Sequence, residues 1–336
     1  LLTYLEATLR VYNKLGRRDN KYKARIKILI KAMGVEAFRK AVHDEWCQLK
    51  DGVMTLPEAA LSNARAHFSP MPYQSFTHSS AVLPGDPIFQ QWLRNNTHRH
   101  KQPGYRAVTV VLKAHGQAPG DISADQLDAM ADLADRYSFG EIRNSHHQNM
   151  VLADVPESAL YELWQALQTY GLAKANGGTL ADLICCPGGD FCNLANARSI
   201  PVALAIQDRF DDLDYLHDLG PIELNISGCM NACGHHHIGH IGILGVDKKG
   251  AEFFQVSLGG KQAGHTQLGK ILGPSFSAEQ IPDVIDTVLQ TYVALRHEDE
   301  HFIDTCHRVG IEPFKTAVYK PASTLDTEHS HAAAVA

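Results

Sequence analysis

Two short stretches, Cys186-Pro-Gly-Gly-Asp-Phe-Cys192 and Ser227-Gly-Cys-Met-Asn-Ala-Cys-Gly234, decide the fold that we predict. They hold four cysteines in a Cys-x5-Cys pair and a Cys-x3-Cys pair, flanked by glycines. Four thiolates suit a tetrahedral zinc ion or an iron–sulfur cluster, and a cluster accepts ligands from wider loops than a zinc knuckle does. Glycines remove Cβ atoms where backbone must pass close to inorganic sulfide. The pattern favours an iron–sulfur cluster, with zinc and unliganded core cysteines as the alternatives.

The distribution of the seven cysteines also indicates a metal site, because five of them lie between residues 185 and 233. Such clustering is typical of metal binding in a reducing compartment rather than of a disulfide framework. Cys185 lies one residue outside the Cys-x5-Cys spacing, and we expect it to be a buried packing residue. Four histidines follow the second pair: His235, His236, His237 and His240. Neighbouring residues on a strand point to opposite faces, so we expect contacts beside the metal centre rather than a separate metal site.

Composition excludes several classes of protein. The 336 residues are 44% hydrophobic and 20% charged, which is ordinary globular usage and excludes a wholly disordered chain. The formal net charge of -6 argues against a general nucleic-acid binder, whose phosphate affinity comes from an excess of cations. No apolar run approaches the roughly 18 residues of a membrane span. We therefore expect a cytoplasmic protein without nucleic-acid or membrane partners.

The chain between residues 104 and 171 has the clearest regular pattern. β-Branched and apolar runs predict strands, and capping residues predict helices. The predicted order is strand, helix, strand, helix, with strands at 106–112 and 150–152 and helices after Ser123 and after Pro156. This order is typical of half of a ferredoxin-like motif or of a small α+β module.

The flanking segments are predicted from the same signals. Residues 1–50 predict a connector of three helices, of which the second is strongly basic and runs from about Asn20 to Met33. Turn residues between 51 and 103 predict an irregular extension, and residues 178–320 mix strands at 238–246 and 253–258 with a helix from about Ser277. The composition of residues 321–336 predicts a disordered tail. The chain begins at Leu1, inside a helical pattern, so we expect it to be a piece of a longer protein.

The two cysteine stretches resemble the signature of the siroheme-containing nitrite and sulfite reductases. Two further stretches are similar to motifs of that family: Gly16-Arg-Arg-Asp-Asn-Lys-Tyr-Lys-Ala-Arg-Ile-Lys27 and Phe139-Gly-Glu-Ile-Arg-Asn-Ser-His-His-Gln-Asn149. With His235-His-His-Ile-Gly-His-Ile-Gly242, the resemblance is closest to the bacterial assimilatory sulfite reductase hemoprotein branch. It implies an α+β fold, in which a ferredoxin-like half-domain at 104–171 precedes a mixed α/β siroheme and 4Fe–4S domain at 178–320. Residues 1–50 would then be a connector from a missing N-terminal half.

The resemblance also implies the site. Cys186, Cys192, Cys229 and Cys233 would ligate one 4Fe–4S cluster, and Cys233 would also bind the siroheme iron and so bridge the two centres. Siroheme carries eight carboxylates, and its pocket needs cations and amide donors. The residues that match are Arg25, Lys27, Arg143, Gln148, Asn149 and Asn231. A solvated helix face remains the alternative for Arg25 and Lys27, and a charged edge strand remains the alternative for Arg143.

The activity implied is the six-electron reduction of sulfite to sulfide in sulfur assimilation, with a flavoprotein or a ferredoxin as electron donor. The alternatives are an assimilatory nitrite reductase that forms ammonia, an iron–sulfur electron-transfer module without haem, and a zinc-stabilised binding domain. We expect the residues of the catalytic distal pocket to lie in the missing half, so that this chain alone is inactive. Full activity of this chain would instead assign that pocket to local residues such as His98, Arg99, His100 or Arg106.

Overall fold

The computed structural model describes residues 1–53, 55–68, 71–75 and 84–319, and the chain divides into two units, 1–73 and 74–336. These residues form helices and two sheets, which confirms the predicted α+β class. The predicted disordered tail at 321–336 lies outside the described residues. Across the described ranges, no helix has the length and apolar character needed to cross a membrane.

The first unit is helical, as predicted. Its helices are α1 (Leu2–Leu15), α2 (Ile26–Met33), α3 (Val35–Leu49) and α4 (Glu58–Ala66). Helices α1 and α3 pack together around the buried Ala7, Val11 and Val42. The indole N–H of Trp46 donates a hydrogen bond to the Thr3 hydroxyl at 3.1 Å and joins the same two helices.

The predicted start of the basic helix was wrong, because α2 begins at Ile26 rather than near Asn20. The Asn20 side chain accepts a hydrogen bond from the Tyr22 N–H at 2.9 Å, and the Asn20 carbonyl accepts one from the Lys23 N–H at 3.0 Å. An asparagine that bonds the backbone two residues on favours a turn over a helix. Helix α2 therefore begins about 1.7 helical turns later than predicted.

The second unit begins with a small sheet covered by three helices. Its elements are α5 (Pro87–Asn96), β1 (Thr97–Arg99), β2 (Tyr105–Val110), α6 (Ala124–Tyr137), β3 (Arg143–Asn144), β4 (Met150–Pro156) and α7 (Leu160–Thr169). The strand order is β1-β2-β4-β3, and all neighbours are antiparallel. The predicted capping box is present, since the Ser123 hydroxyl accepts from the Gln126 N–H and the Gln126 side chain accepts from the Ser123 N–H. The largest fully buried side chains here are Phe89, Trp92, Met130, Leu152, Leu160, Leu163 and Leu167.

The predicted irregular stretch from 51 to 103 was wrong in part, because it contains α4, α5 and β1. Asp86 caps α5 through bonds from the Ile88 and Phe89 N–H groups, and Pro87 occupies the first helical turn. An Asp-Pro pair before an apolar run is a helix start as well as a turn signal. Phe89 and Trp92 then bury α5 against the sheet.

The rest of the second unit is a five-stranded mixed sheet with helices around it. Its elements are β5 (Ile184–Cys185), α8 (Ile200–Arg209), α9 (Leu213–Leu219), β6 (Leu224–Ser227), β7 (Ile241–Lys248), β8 (Ala251–Leu258), β9 (Lys270–Ile271), α10 (Ile281–Leu295), α11 (Phe302–Val309) and α12 (Glu312–Tyr319). The strand order is β5-β6-β7-β8-β9; β5, β6 and β7 are parallel, and β7, β8 and β9 are antiparallel. Among its fully buried side chains are Leu180, Phe254, Tyr292, Phe302 and Phe314.

The crossover from β6 to β7 carries the second cysteine pair. Parallel neighbours need a crossover of about a dozen residues, because the chain must return to the opposite end of the sheet. Residues 228–240 make that return as turns, with Ala232 and His235 at positive φ. The predicted strand at 238–246 therefore begins only at Ile241.

Candidate metal centre

The two cysteine pairs follow the carboxyl ends of neighbouring parallel strands. Cys186 comes directly after β5, and Cys229 comes two residues after the end of β6. The Cys186 N–H donates to the Ile226 carbonyl at 3.0 Å, and the Gly228 N–H donates to the Cys186 Sγ at 3.1 Å. Parallel strands end at one edge of a sheet, so the sheet itself brings the two loops together.

The loops approach each other backbone to backbone. A Cβ on Gly228 would lie 2.7 Å from the Gly188 Cα and 2.8 Å from the Ala197 carbonyl oxygen. The Asn196 and Ala197 N–H groups both donate to the Gly228 carbonyl, at 2.9 and 3.1 Å. Glycine is required at 228 because any side chain would separate the loops that carry the cysteines.

The four predicted ligands differ in exposure. Cys229 is buried, Cys186 and Cys192 are half-buried, and Cys233 is exposed. The Cys192 N–H donates to the Gly188 carbonyl at 2.9 Å at the end of a short 3-10 turn. An exposed thiol at 233 can contact a group outside the cluster loops, which fits the predicted bridge to siroheme iron.

The donor set suits an iron–sulfur cluster. No disulfide joins the seven cysteines, which all lie within the described ranges, and an N–H···S bond such as that from Gly228 stabilises a thiolate ligand. Within the described ranges, no three His, Cys, Asp or Glu side chains are arranged to hold a single metal ion. The assignment of individual ligands remains a prediction.

Cys185 is a packing residue, as predicted. Its side chain is 3% exposed and belongs to the core of the five-stranded sheet. The thiol donates to the Cys186 carbonyl at 3.2 Å, and burial raises the pKa of Cys185 far above its ordinary value. Its position among the core side chains fits a packing role.

Gln148 and Asn149, predicted as siroheme contacts, both bond to protein groups near β5. The Gln148 side chain donates to the Cys185 carbonyl at 2.8 Å and accepts from the Cys185 N–H at 2.9 Å. Asn149 is buried, and its side-chain amide donates to the Asp182 carboxylate at 2.8 Å. Their contact with siroheme remains a prediction.

Lys113 is a structural residue that the sequence analysis missed. Its side chain is completely buried, and its ammonium group donates to the His147 carbonyl at 2.9 Å, the Gln148 carbonyl at 3.0 Å and the Asn149 Oδ1 at 2.7 Å. The Asp182 carboxylate lies 3.6 Å away. Burial lowers the pKa of Lys113 to about 8, and Asp182 opposes that shift. A lysine directly after a predicted buried strand was the signal available in the sequence.

The remaining predicted siroheme contacts lie in separate places. Arg143, on β3, is half-exposed and forms ion pairs with Glu141 and with Asp154. Asn231 lies on the loop between the last two cysteines. Arg25 and Lys27 lie in the first unit, at the start of α2. Their binding of siroheme carboxylates stays a prediction.

The histidines after the cysteines differ in exposure. His235 and His237 are exposed, whereas His236 and His240 are buried. The His240 Nδ1 accepts a hydrogen bond from the Glu223 N–H at 3.2 Å, and burial lowers the pKa of His240 to about 4. The ring at 240 is therefore neutral near pH 7.

A cavity of about 430 Å³ lies at the amino ends of β5, β6 and β7. Its polar lining includes His98, His147, His240, Asp182 and Glu223. Burial raises the pKa of Glu223 and lowers the pKa of His147. The cysteine loops lie at the carboxyl ends of the same strands, so the cavity and the candidate metal centre are at opposite ends of the parallel strands.

Comparison with protein families gives two matches. The family model described as "Nitrite and sulphite reductase 4Fe-4S domain" matches residues 1–50 and 176–324. The one described as "Nitrite/Sulfite reductase ferredoxin-like half domain" matches residues 98–170. Together they cover both units and all four predicted cysteine ligands.

Individual relatives agree with the families. A protein named sulfite reductase [ferredoxin] from Mycobacterium tuberculosis is 30% identical over 308 residues, which are 88% of this chain and 49% of that protein. A chloroplastic ferredoxin–nitrite reductase from Betula pendula is 26% identical over 318 residues, 90% of this chain and 48% of its own. The structure of the Mycobacterium tuberculosis NirA protein matches with a TM-score of 0.62 and 27% identity over 93% of this chain and 53% of that one. The chain thus spans about half the length of the curated relatives that it matches.

Proposed function

The chain belongs to the nitrite and sulphite reductase family, and on that premise we propose that it forms the cluster-bearing part of an enzyme that reduces sulfite to sulfide. One observation carries the proposal. Two cysteine loops meet at one edge of the second sheet, where the Gly228 N–H donates to the Cys186 sulfur at 3.1 Å. Four thiols on such loops are the ligands that a 4Fe–4S cluster needs.

Siroheme and a 4Fe–4S cluster, which this family carries, supply one-electron transfer and the iron that binds a small oxyanion. Cys186, Cys192 and Cys229 would hold the cluster, and the exposed Cys233 would hold both groups. The Gly228 N–H places partial positive charge against the Cys186 sulfur, which would stabilise the thiolate and raise the reduction potential of a bound cluster. Close backbone packing at Gly228 keeps that N–H in place.

The cationic contacts of siroheme are proposed on the same premise. Arg25, Lys27 and Arg143 would each be available to pair with its carboxylates, while Asn231 would orient the loop between Cys229 and Cys233. Arg143 already pairs with Glu141 and Asp154, so binding requires its guanidinium to exchange one carboxylate for another. Giving up the pair with the partly exposed Glu141 costs little, whereas the buried Asp154 carboxylate needs to keep its pair with Arg143.

Sulfite is the proposed substrate, because relatives named sulfite reductase match at up to 30% identity. Nitrite is the second candidate, because relatives named ferredoxin–nitrite reductase also match along most of the chain. Either reduction takes six electrons. Both groups of relatives name ferredoxin as their partner, so we propose ferredoxin as the donor ahead of a flavoprotein.

Serine variants test the ligand assignment. Cys186→Ser and Cys233→Ser are purified beside Cys306→Ser, a buried control away from the loops, from cells that make siroheme. Iron, acid-labile sulfide, zinc and siroheme are then measured for each chain. We expect Cys186→Ser to lose mainly iron and sulfide, and Cys233→Ser to lose siroheme as well, because only residue 233 contacts both groups.

Two outcomes would contradict the proposal. Zinc in place of iron and sulfide in the unmodified chain would favour a zinc-stabilised domain. Iron and sulfide without siroheme, unaltered by Cys233→Ser, would favour an electron-transfer module. Sulfite and nitrite reduction with a chemical donor, normalised to siroheme and measured on a longer chain that spans the full length of the relatives, decides between the two substrates.

A further inference from the structure

Strand β5 is an edge strand, and a side chain from the neighbouring sheet closes its outer side. Residues Ile184 and Cys185 pair only with β6 in the five-stranded sheet. On the opposite side, the Gln148 amide donates to the Cys185 carbonyl at 2.8 Å and accepts from the Cys185 N–H at 2.9 Å. One primary amide thus makes the two bonds that a further strand would make.

The backbone conformation of Gln148 places its side chain for this contact. Gln148 lies in the turn between β3 and β4 and has a φ of 59°, which is unfavourable for a residue with a Cβ. Its N–H donates to the Ser145 carbonyl at 3.1 Å, and the Ser145 N–H donates to the Asn149 carbonyl at 2.9 Å. A Cβ on Gly120 would lie 3.1 Å from the Gln148 Cβ, so glycine there leaves room for the side chain.

Lys113 and Asn149 make further hydrogen bonds that hold the same turn in place. The Lys113 ammonium group bonds the carbonyls of His147 and Gln148, which fixes the turn against β2. Asn149 donates to Asp182, which in turn accepts from the Gly178 N–H at 3.1 Å. The turn is therefore joined to the β5 segment at two points, Asp182 and Cys185.

We infer that Gln148 is a positioning residue, which keeps β5 in register so that Cys186 meets Gly228 and the metal centre. The inference rests on the proposed function of Cys186 as a cluster ligand. A strand of two residues has few bonds of its own, so the two bonds from Gln148 are a large share of those that hold Cys185. Without them β5 opens locally, and the Cys186 sulfur leaves the Gly228 N–H.

The test compares Gln148→Met, which keeps the length and removes both bonds, with Gln148→Glu, which places a carboxylate against the Cys185 carbonyl. Gln165→Met, on an exposed face of α7, is the matched control. Hydrogen exchange of the peptide that contains Cys185 and alkylation of individual cysteines are measured by mass spectrometry on the full chain. Iron release to a chelator is followed on the protein as purified.

Losing two bonds of about 1 kcal/mol each should increase local opening about thirtyfold. We expect exchange at Cys185 and alkylation at Cys186 to rise by that order in Gln148→Met. Both should rise less in Gln148→Glu, whose carboxylate still accepts from the Cys185 N–H but repels the Cys185 carbonyl, and alkylation of the buried Cys306 should stay unchanged. Iron release should accelerate in the same variants. Unchanged labelling of Cys186 would overturn the inference, and so would an equal rise at Cys306, because that means global unfolding. A purified chain without iron would contradict the proposed function alone, since exchange and labelling still decide the role of Gln148.

Discussion

The buried pair Lys113 and Asp182 permits a quantitative test of how the two sheets are joined. Lys113→Met keeps the length and apolar stem of the side chain, but removes three hydrogen bonds and the cation 3.6 Å from Asp182. Burial lowers the pKa of Lys113 to about 8, so the charged lysine is itself costly in this place. Removing it relieves that cost, but leaves the nearly buried Asp182 carboxylate without its cation.

The uncompensated charge on Asp182 should cost more free energy than the removal of the buried lysine gains. Removing one partner of a buried ion pair costs about 3–5 kcal/mol, because the other charge stays uncompensated. We therefore expect Lys113→Met to lower the free energy of unfolding by about 3 kcal/mol. The exposed Lys101→Met, on the same half-domain, should change it by about 0.5 kcal/mol or less.

A double-mutant cycle with Asp182→Asn identifies the cause. Asp182→Asn alone should destabilise less, by about 1–3 kcal/mol, because the Lys113 ammonium group keeps its three hydrogen bonds. In the Lys113→Met background the same change removes a lone buried charge, so it should be neutral or stabilising. Urea unfolding followed by the fluorescence of Trp92 and Trp164, in the half-domain core, measures all four chains. Additive effects, or a Lys113→Met cost below about 1 kcal/mol, would refute the reasoning.

Three further predictions concern the second unit. Burial lowers the pKa of His240 in the folded chain to about 4. Between pH 6.5 and 4 the unfolded chain therefore binds a proton that the folded chain does not, so acidification over this range should lower the free energy of unfolding by about 3 kcal/mol. His240→Asn keeps an acceptor for the Glu223 N–H and should flatten the stability profile measured by urea unfolding over that range. Cys185→Ala should keep full iron and acid-labile sulfide and lose about 1 kcal/mol or less of stability; loss of the cluster would show that the assigned ligand is wrong by one residue. Gly228→Ala should lower the free energy of unfolding by about 1–3 kcal/mol and lower the iron content, because its Cβ would lie 2.7 Å from the facing backbone. The control Gly85→Ala, which has open space around it, should match the unmodified chain in both measurements.

Much of the local structure was predictable from the sequence. The capping box at Ser123, the strands near 106–112 and 150–152 and the helix after Ser277 follow from neighbouring residues, whose spacing alone sets the pattern. The start of α2 and the helix α5 were missed, although Asn20 and the Asp86-Pro87 pair signal them locally. Both elements were missed because charged and turn-forming residues were interpreted without the hydrogen bonds that their side chains make to the backbone.

The family and its cofactors were also predictable, because the cysteine spacing and the glycine positions that indicate them are properties of the sequence itself. The sequence shows two cysteine pairs, and only the parallel order of β5 and β6 brings them to one edge of a sheet. It shows a lysine at 113 and an amide at 148, and only the tertiary structure places them against Asp182 and Cys185. Capping and periodicity involve residues within a few positions, whereas these contacts join atoms of residues far apart in the chain. Their partners are decided by how the two sheets pack, and no local pattern encodes that packing.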